Sequence, residues 1–298
     1  MIVVAREYGQ LGNRLWLYAH AIAAAEEYGV SVANPCFNEY ANLFPRTARD
    51  PWCRYPLATE FDQESPIVSS RHRALLSQST YLAAKSMYLA RFRRFPAHVL
   101  RLRNDQSLDM TSPAFEKMAK SNRHTMLLGW LFRCQSFLEK HATKIRDHFQ
   151  LHESDQIAID RFLSPIQSEA DLVVGVHIRH GDYATFLGGR YFFPVSDYVA
   201  AMHEIQQQLA PRRVAFMVCS NAEHDAGDFH GLNVHFGPGH LLHDMYAFAK
   251  TDLIIGPPST YTGWAAFYGN VPRKELDRDR GPIDLKTLQS TILGRPAA

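Results

Sequence analysis

Residues 171–183 read DLVVGVHIRHGDY, an apolar run that ends in His177, Arg179, His180 and Asp182, with Gly181 among them. The run 172–176 has the character of a buried strand. Side chains alternate along a strand, so His177 and Arg179 share one side. Gly181 lets the backbone turn, and Asp182 can orient Arg179 or hold a hydroxyl. A guanidinium is a planar fork that matches two oxygens of one phosphate. A structural alternative stays open: an Arg179–Asp182 ion pair used only for stability, with His177 satisfied by backbone.

Two further strand ends offer matching chemistry. Ser220 and Asn221 follow the apolar run at 213–219, and Ser259 and Thr260 follow the one at 252–256. Ser259 and Thr260 also open a helical segment, whose first amides and dipole favour an anion. Ligands of parallel α/β sheets bind outside the carboxyl ends of the strands. Cation, amide and hydroxyl groups at three such ends describe a diphosphate site. His180 and Asp182 are the candidates for a catalytic base, the titratable groups nearest the expected chemistry.

These residues need a sheet to carry them, and the second half of the chain supplies the pattern. Strand-like runs at 171–179, 213–220, 233–236 and 252–256 alternate with helical segments at 194–209, 240–251 and 259–269. The first half opens in the same way. A strand at 2–5 leads through Gly9 and Gly12 into a helix with Asn13 as its expected N-cap and Gly29 as its stop, and a strand follows at 30–35. Residues 134–151 read as one helix, while 38–125 are less regular. The polar stretch 152–170 holds a helix and a proline, with a domain boundary near its end. The expected division is 1–165 and 166–298, each part a Rossmann-like α/β domain.

Composition narrows the function. The chain has 298 residues, 46% hydrophobic and 21% charged, with a net charge of +2 that gives no reason to expect nucleic-acid binding. Cys36, Cys53, Cys134 and Cys219 are widely spaced, which fits reduced thiols and argues against zinc or a disulfide framework. No apolar run reaches membrane-spanning length, and 1–13 read as a first strand, so a cytoplasmic chain is expected. The segment RFRRFPAHVLRLR at 91–103 interleaves five arginines with apolar residues. It reads either as the solvated basic face of a helix broken near Pro96, or as a contact for an anionic acceptor, polysaccharide or the inner face of a membrane. DRDRG at 277–281 reads as an exposed charged run, not a metal motif. The histidines of 224–243 lack metal-ligand spacing. Trp16, Trp130 and Trp264 are expected in the core.

Three patterns, in order, resemble the bacterial α-1,2-fucosyltransferase family and the wider fucosyltransferase superfamily. They are GQLGNRLWLYAHAIAAA, VHIRHGDY and HDMYAFAKTDLIIGPPSTYTGWAA, spanning about 9–266. The middle one matches the family's H-x-R-R-G-D-Y. The resemblance implies a GT-B-like fold with two Rossmann-like domains facing a cleft, an acceptor-side domain first and a GDP-sugar-binding domain second. It implies GDP-fucose as donor, inversion at the anomeric carbon, no metal or other cofactor, and an oligosaccharide, glycolipid or polysaccharide acceptor.

By the same resemblance Arg179 and His177 carry over as phosphate-site residues, Ser259 and Thr260 as the hydroxyls near the diphosphate, and Gly9, Gly12 and Asn13 as the glycine–asparagine loop. Asp244 carries over as a holder of guanine or ribose. His180 replaces the family's second arginine, Tyr261 its phenylalanine and Gly263 its first tryptophan. Gln10 and Arg14 stand where glycine and glutamine are usual, and Trp16 replaces a phenylalanine. The alternatives are a GDP-sugar-binding module without turnover, or a transferase for another nucleotide sugar or acceptor.

Overall fold

The computed structural model describes residues 1–58, 60, 65–90, 97–276 and 285. The chain divides into two compact units, Met1–His152 and Glu153–Ala298. The division falls before the polar helix of 152–170 rather than at 165/166, because that helix packs on elements of the second unit.

The first unit opens with strand β1 (Ile2–Val4), helix α1 (Leu11–Tyr28) and strand β2 (Val32–Ala33). A 3-10 helix (Pro35–Leu43) precedes helix α2 (Pro45–Ala48), strand β3 (Arg54–Tyr55), helix α3 (Ser70–Leu89) and strand β4 (Ala97–Arg101). Strand β5 (Leu108–Asp109), helix α4 (Pro113–Ala119) and strands β6 (His124–Leu128) and β7 (Phe132–Arg133) follow, then helices α5 (Gln135–Lys140) and α6 (Ala142–His148). The main sheet has the order β3-β2-β1-β6-β4, parallel except for β3. Helix α1 is buried nearly all round; its alanines let neighbours approach, and Gly29 ends it in the left-handed conformation at φ 63°.

Local structure departs from the sequence expectation at several places. Gln10, not Asn13, is the N-cap of α1, and Gly12 lies inside that helix's first turn. The single helix expected at 134–151 is two, parted at His141. Within 91–103, residues 97–101 are the strand β4, paired with β6, so the helical reading fails there; 91–96 lie outside the described residues, as do 277–281. Trp264 is in the core, whereas Trp16 and Trp130 are half-buried.

The second unit contains helix α7 (Glu153–Glu169), strand β8 (Leu172–Ile178), helix α8 (Val195–Leu209), strand β9 (Val214–Ser220) and strand β10 (Val234–Phe236). Helix α9 (Leu241–Phe248), strand β11 (Leu253–Gly256), helix α10 (Thr260–Gly269) and strand β12 (Arg273–Glu275) follow. All its strands are parallel, in the order β10-β9-β8-β11-β12. Numbered from β8, that is 3-2-1-4-5, the Rossmann order, which reverses between β8 and β11. Every residue of β8 is buried, as a parallel strand covered on both faces requires. Leu172, Val174, Val176 and Ile178 pack into the core with Tyr198, Met202 and Ile205 of α8. The odd-numbered side chains therefore point to the other face, where Gly175 lies against Phe248 of α9.

Candidate active site

Arg179 emerges at the carboxyl end of β8, on the face opposite the α8 core. Its Nη2 lies 3.0 and 3.1 Å from the two carboxylate oxygens of Asp182, and its guanidinium sits 5.4 Å from the Tyr183 ring centre. Half of the structural alternative is thus present: the ion pair forms. The other half fails. His177 is only 6% exposed, and neither of its ring nitrogens has a hydrogen-bond partner; the buried Nε of Arg179 has none either. Buried polar atoms are nearly always paired, so these three mark a place where a polar ligand fits.

His177 is held by rings, not by backbone. It stacks on Tyr261 at 5.3 Å and meets the edge of Phe248 at 6.0 Å. Burial, and then the Arg179 charge, bring its pKa down to about 3. Burial does the same to His20 and His148 of the first unit, each at about 3. An unfolded histidine titrates near pH 6.5, so the unfolded chain takes up these protons first. The stabilisation is whole above about pH 6.5 and drains as pH falls towards the folded value, by up to about 1.4 kcal/mol per unit and group. Urea unfolding should therefore show a markedly lower midpoint at pH 5 than at pH 7. An unchanged midpoint would contradict three neutral, buried imidazoles.

The turn after β8 is built around Asn221. Its Oδ1 accepts the His180 amide at 2.8 Å, and a Cβ at position 181 would lie 2.8 Å from its Nδ2. Gly181 also has φ 51°, so glycine is required on both counts. His180 Nε2 lies 2.9 Å from the Phe193 carbonyl and must carry the proton there, which leaves Nδ1 as its basic nitrogen. Asp182 is exposed and engaged by Arg179 at both oxygens.

On the other side of the strand-order reversal, Ser259 caps α10, its Oγ accepting the Tyr261 amide at 3.1 Å. Thr260 is the first helical residue, and Tyr261 donates its hydroxyl to the Leu241 carbonyl at 2.7 Å. Two residues not among the expected site residues hold this turn. Arg273 of β12 donates to the Ser259 carbonyl at 3.0 Å and to Thr262 Oγ1 at 3.2 Å. Tyr183 donates to the Pro258 carbonyl at 3.2 Å, tying the Arg179 turn to the α10 turn. Tyr183 was legible as the last residue of HIRHGDY; Arg273 lies outside every motif.

Beside these residues, at the carboxyl ends of β9 and β10, lies a cavity of about 490 Å³ lined by Ser220, His224, Asp225, Phe236 and Asp244, among others. Ser220 Oγ is 3.0 Å from His224 Nε2. Asp244 is buried, and burial raises its pKa even though its Oδ1 accepts the Gly239 amide at 3.0 Å. A buried carboxylate in such a pocket suits a ligand edge rich in N–H or O–H donors. Elsewhere in 224–243, His235 pairs with Glu169, and His243 with Asp155.

The glycine–asparagine loop belongs to the first unit. Gly9 takes φ 59°, and a Cβ there would lie 2.1 Å from Asn13 Nδ2, so Gly9 and not Gly12 makes the turn. Arg14 organises it: the guanidinium reaches the carbonyls of Gly9 at 3.2 Å and Cys36 at 3.0 Å, and Glu39 at 2.9 Å. Thus Arg179, His177, Asn221, Ser259, Thr260 and Tyr261 gather around one sheet edge with Ser220 and Asp244 next to them, while Gly9, Gly12 and Asn13 form a separate structure in the other unit.

Three solved structures share this architecture. A mutant of Arabidopsis thaliana FUT1 in complex with GDP is 14% identical, with a TM-score of 0.57 over 94% of this chain and 71% of that one. Fucosyltransferase NodZ from Bradyrhizobium is 17% identical, TM-score 0.55, over 94% and 95%. NodZ α-1,6-fucosyltransferase soaked with GDP-fucose is 18% identical, TM-score 0.55, over 94% and 95%. The fold is GT-B-like. At these identities the likeness concerns the fold, and the site rests on the residues of this chain. No protein-family model and no curated protein sequence matches it.

Proposed function

We propose that this chain is an inverting glycosyltransferase that moves fucose from GDP-fucose to a glycan hydroxyl, in α-1,2 linkage, without a metal ion. The observation that carries the reading is the convergence of Arg179, unpartnered His177 and the N-terminus of α10 on the strand-order reversal between β8 and β11. Donor cleavage builds negative charge on the β-phosphate. A guanidinium and a helix N-terminus meet that charge in the role a divalent cation plays elsewhere, and preorganised donors of this kind contribute about 3–4 kcal/mol each. Asp244 and Ser220, lining the adjoining cavity, suit the amidine edge of guanine and the ribose hydroxyls. His180, through Nδ1, or Asp182 would take the acceptor proton, and the first unit would serve the acceptor. The solved neighbours bound to GDP or soaked with GDP-fucose support the donor class, and the motif resemblance supports the α-1,2 linkage; NodZ is an α-1,6 enzyme.

Ligand binding to the native state raises apparent stability. In a thermal-shift panel, GDP-fucose and GDP should raise Tm by several degrees, GDP-mannose less, and UDP- and ADP-sugars not at all. Stabilisation by a UDP-sugar alone would overturn the donor assignment. NMR of the product formed on a galactoside acceptor reads the linkage directly, and an α-1,6 product would correct it.

A further inference from the structure

Helix α3 is packed with its small and polar side chains inward. Its buried residues are Arg73, Ser77, Thr80 and Ala84. Tyr81 and Met87 pack against the core, but three of its leucines point out: Leu75 is 67% exposed, Leu82 51% and Leu89 63%. A spacing of seven keeps these leucines on one stripe; Arg71 precedes it and Gln78 and Lys85 interleave it at three- and four-residue steps, all exposed. Exposed Tyr88 extends the patch at its end, with the Arg101 guanidinium 5.2 Å from its ring centre.

Charge selects the occupant. From residue 65 to residue 103 the sequence has seven arginines and one lysine and no aspartate or glutamate. A second copy of α3 would bring the Arg71 and Lys85 cations beside the leucine stripe against their counterparts, which opposes self-pairing. A nucleic acid or polysaccharide gives exposed leucines nothing to enter. Leucines flanked by Arg71 and Lys85, with a tyrosine at the border, match the interface of an anionic lipid bilayer: apolar side chains enter the acyl boundary while cationic heads reach the phosphates. Among the described residues no helix is long and apolar enough to cross a membrane, so the contact is with one surface.

We propose that the exposed face of α3, Arg71-Leu75-Gln78-Leu82-Lys85-Leu89, docks this protein on an anionic phospholipid surface. The test is flotation of the purified full chain with phosphatidylcholine vesicles containing about one-third phosphatidylglycerol, against phosphatidylcholine alone. Recovery should be at least about tenfold higher on the anionic vesicles and should fall as salt is raised. A Leu75→Glu/Leu82→Glu variant should lose this recovery at an unchanged urea midpoint. Arg71→Glu/Lys85→Glu, altered only at exposed polar positions, provides a second variant should the first misfold, and should also lose it. Equal recovery on both vesicle types, no recovery on either, or wild-type recovery by a folded variant would overturn the proposal. So would a dimer, seen by light scattering, that Leu82→Glu splits.

Discussion

Replacing Arg179 with lysine should leave the protein folded and lower kcat by about two to three orders of magnitude. Arg179 has one nitrogen on Asp182 and a second, Nε, buried without a partner, so part of its fork remains for a ligand. Lysine restores the charge but not the two-pronged donor geometry, and it loses the contact over the Tyr183 ring. An exposed ion pair such as Arg179–Asp182 contributes only about 0–1 kcal/mol to stability, so the urea midpoint should move little. The two quantities separate the readings. Turnover near wild type in a folded variant would make Arg179 structural, whereas a large loss of stability at unchanged turnover would leave the ion pair as its whole purpose.

Gly256→Val should weaken GDP binding about a hundredfold and destabilise the fold by about 1–3 kcal/mol. Gly256 ends β11 beside β8, and a Cβ there would lie 2.6 Å from the His177 carbonyl oxygen and 3.0 Å from its Cβ. The obstacle is largely backbone, so no rotamer change relieves it; β11 must move away from β8. That displaces the Ser259 turn relative to Arg179, the two sides of the strand-order reversal. A wild-type midpoint and a wild-type GDP affinity in this variant would mean that the spacing of these two strands does not set the site.

The second unit was the legible half. Its strands are continuous apolar runs because both sheet faces are covered, and runs such as 172–176 and 214–219 leave little room for misreading. Polar residues directly after such runs, His177 to Asp182 and Ser259 to Thr260, stand out for the same reason. What the pattern could not carry was partnership across strands. Arg273 braces Ser259 from β12, and Tyr183 bridges to Pro258, contacts that depend on strand order rather than on spacing. The first unit was harder. Asn13 resembles an N-cap by residue type, yet Gln10 occupies that position because Gly9 turns the chain earlier. Helix α3 escaped periodicity because its fully buried positions are polar and small while Leu75, Leu82 and Leu89 face outward, the inverse of the usual signal.

The most direct measurement is transfer from GDP-fucose to a galactose-terminated acceptor by the purified full chain in excess EDTA. GDP should be released in step with fucosylated product, at a rate that added magnesium or manganese does not raise, and Arg179→Lys should suppress it. Transfer only after a divalent cation is restored would contradict the role given to Arg179 and the α10 N-terminus. Consumption of another nucleotide sugar, with GDP-fucose left intact, would contradict the donor itself.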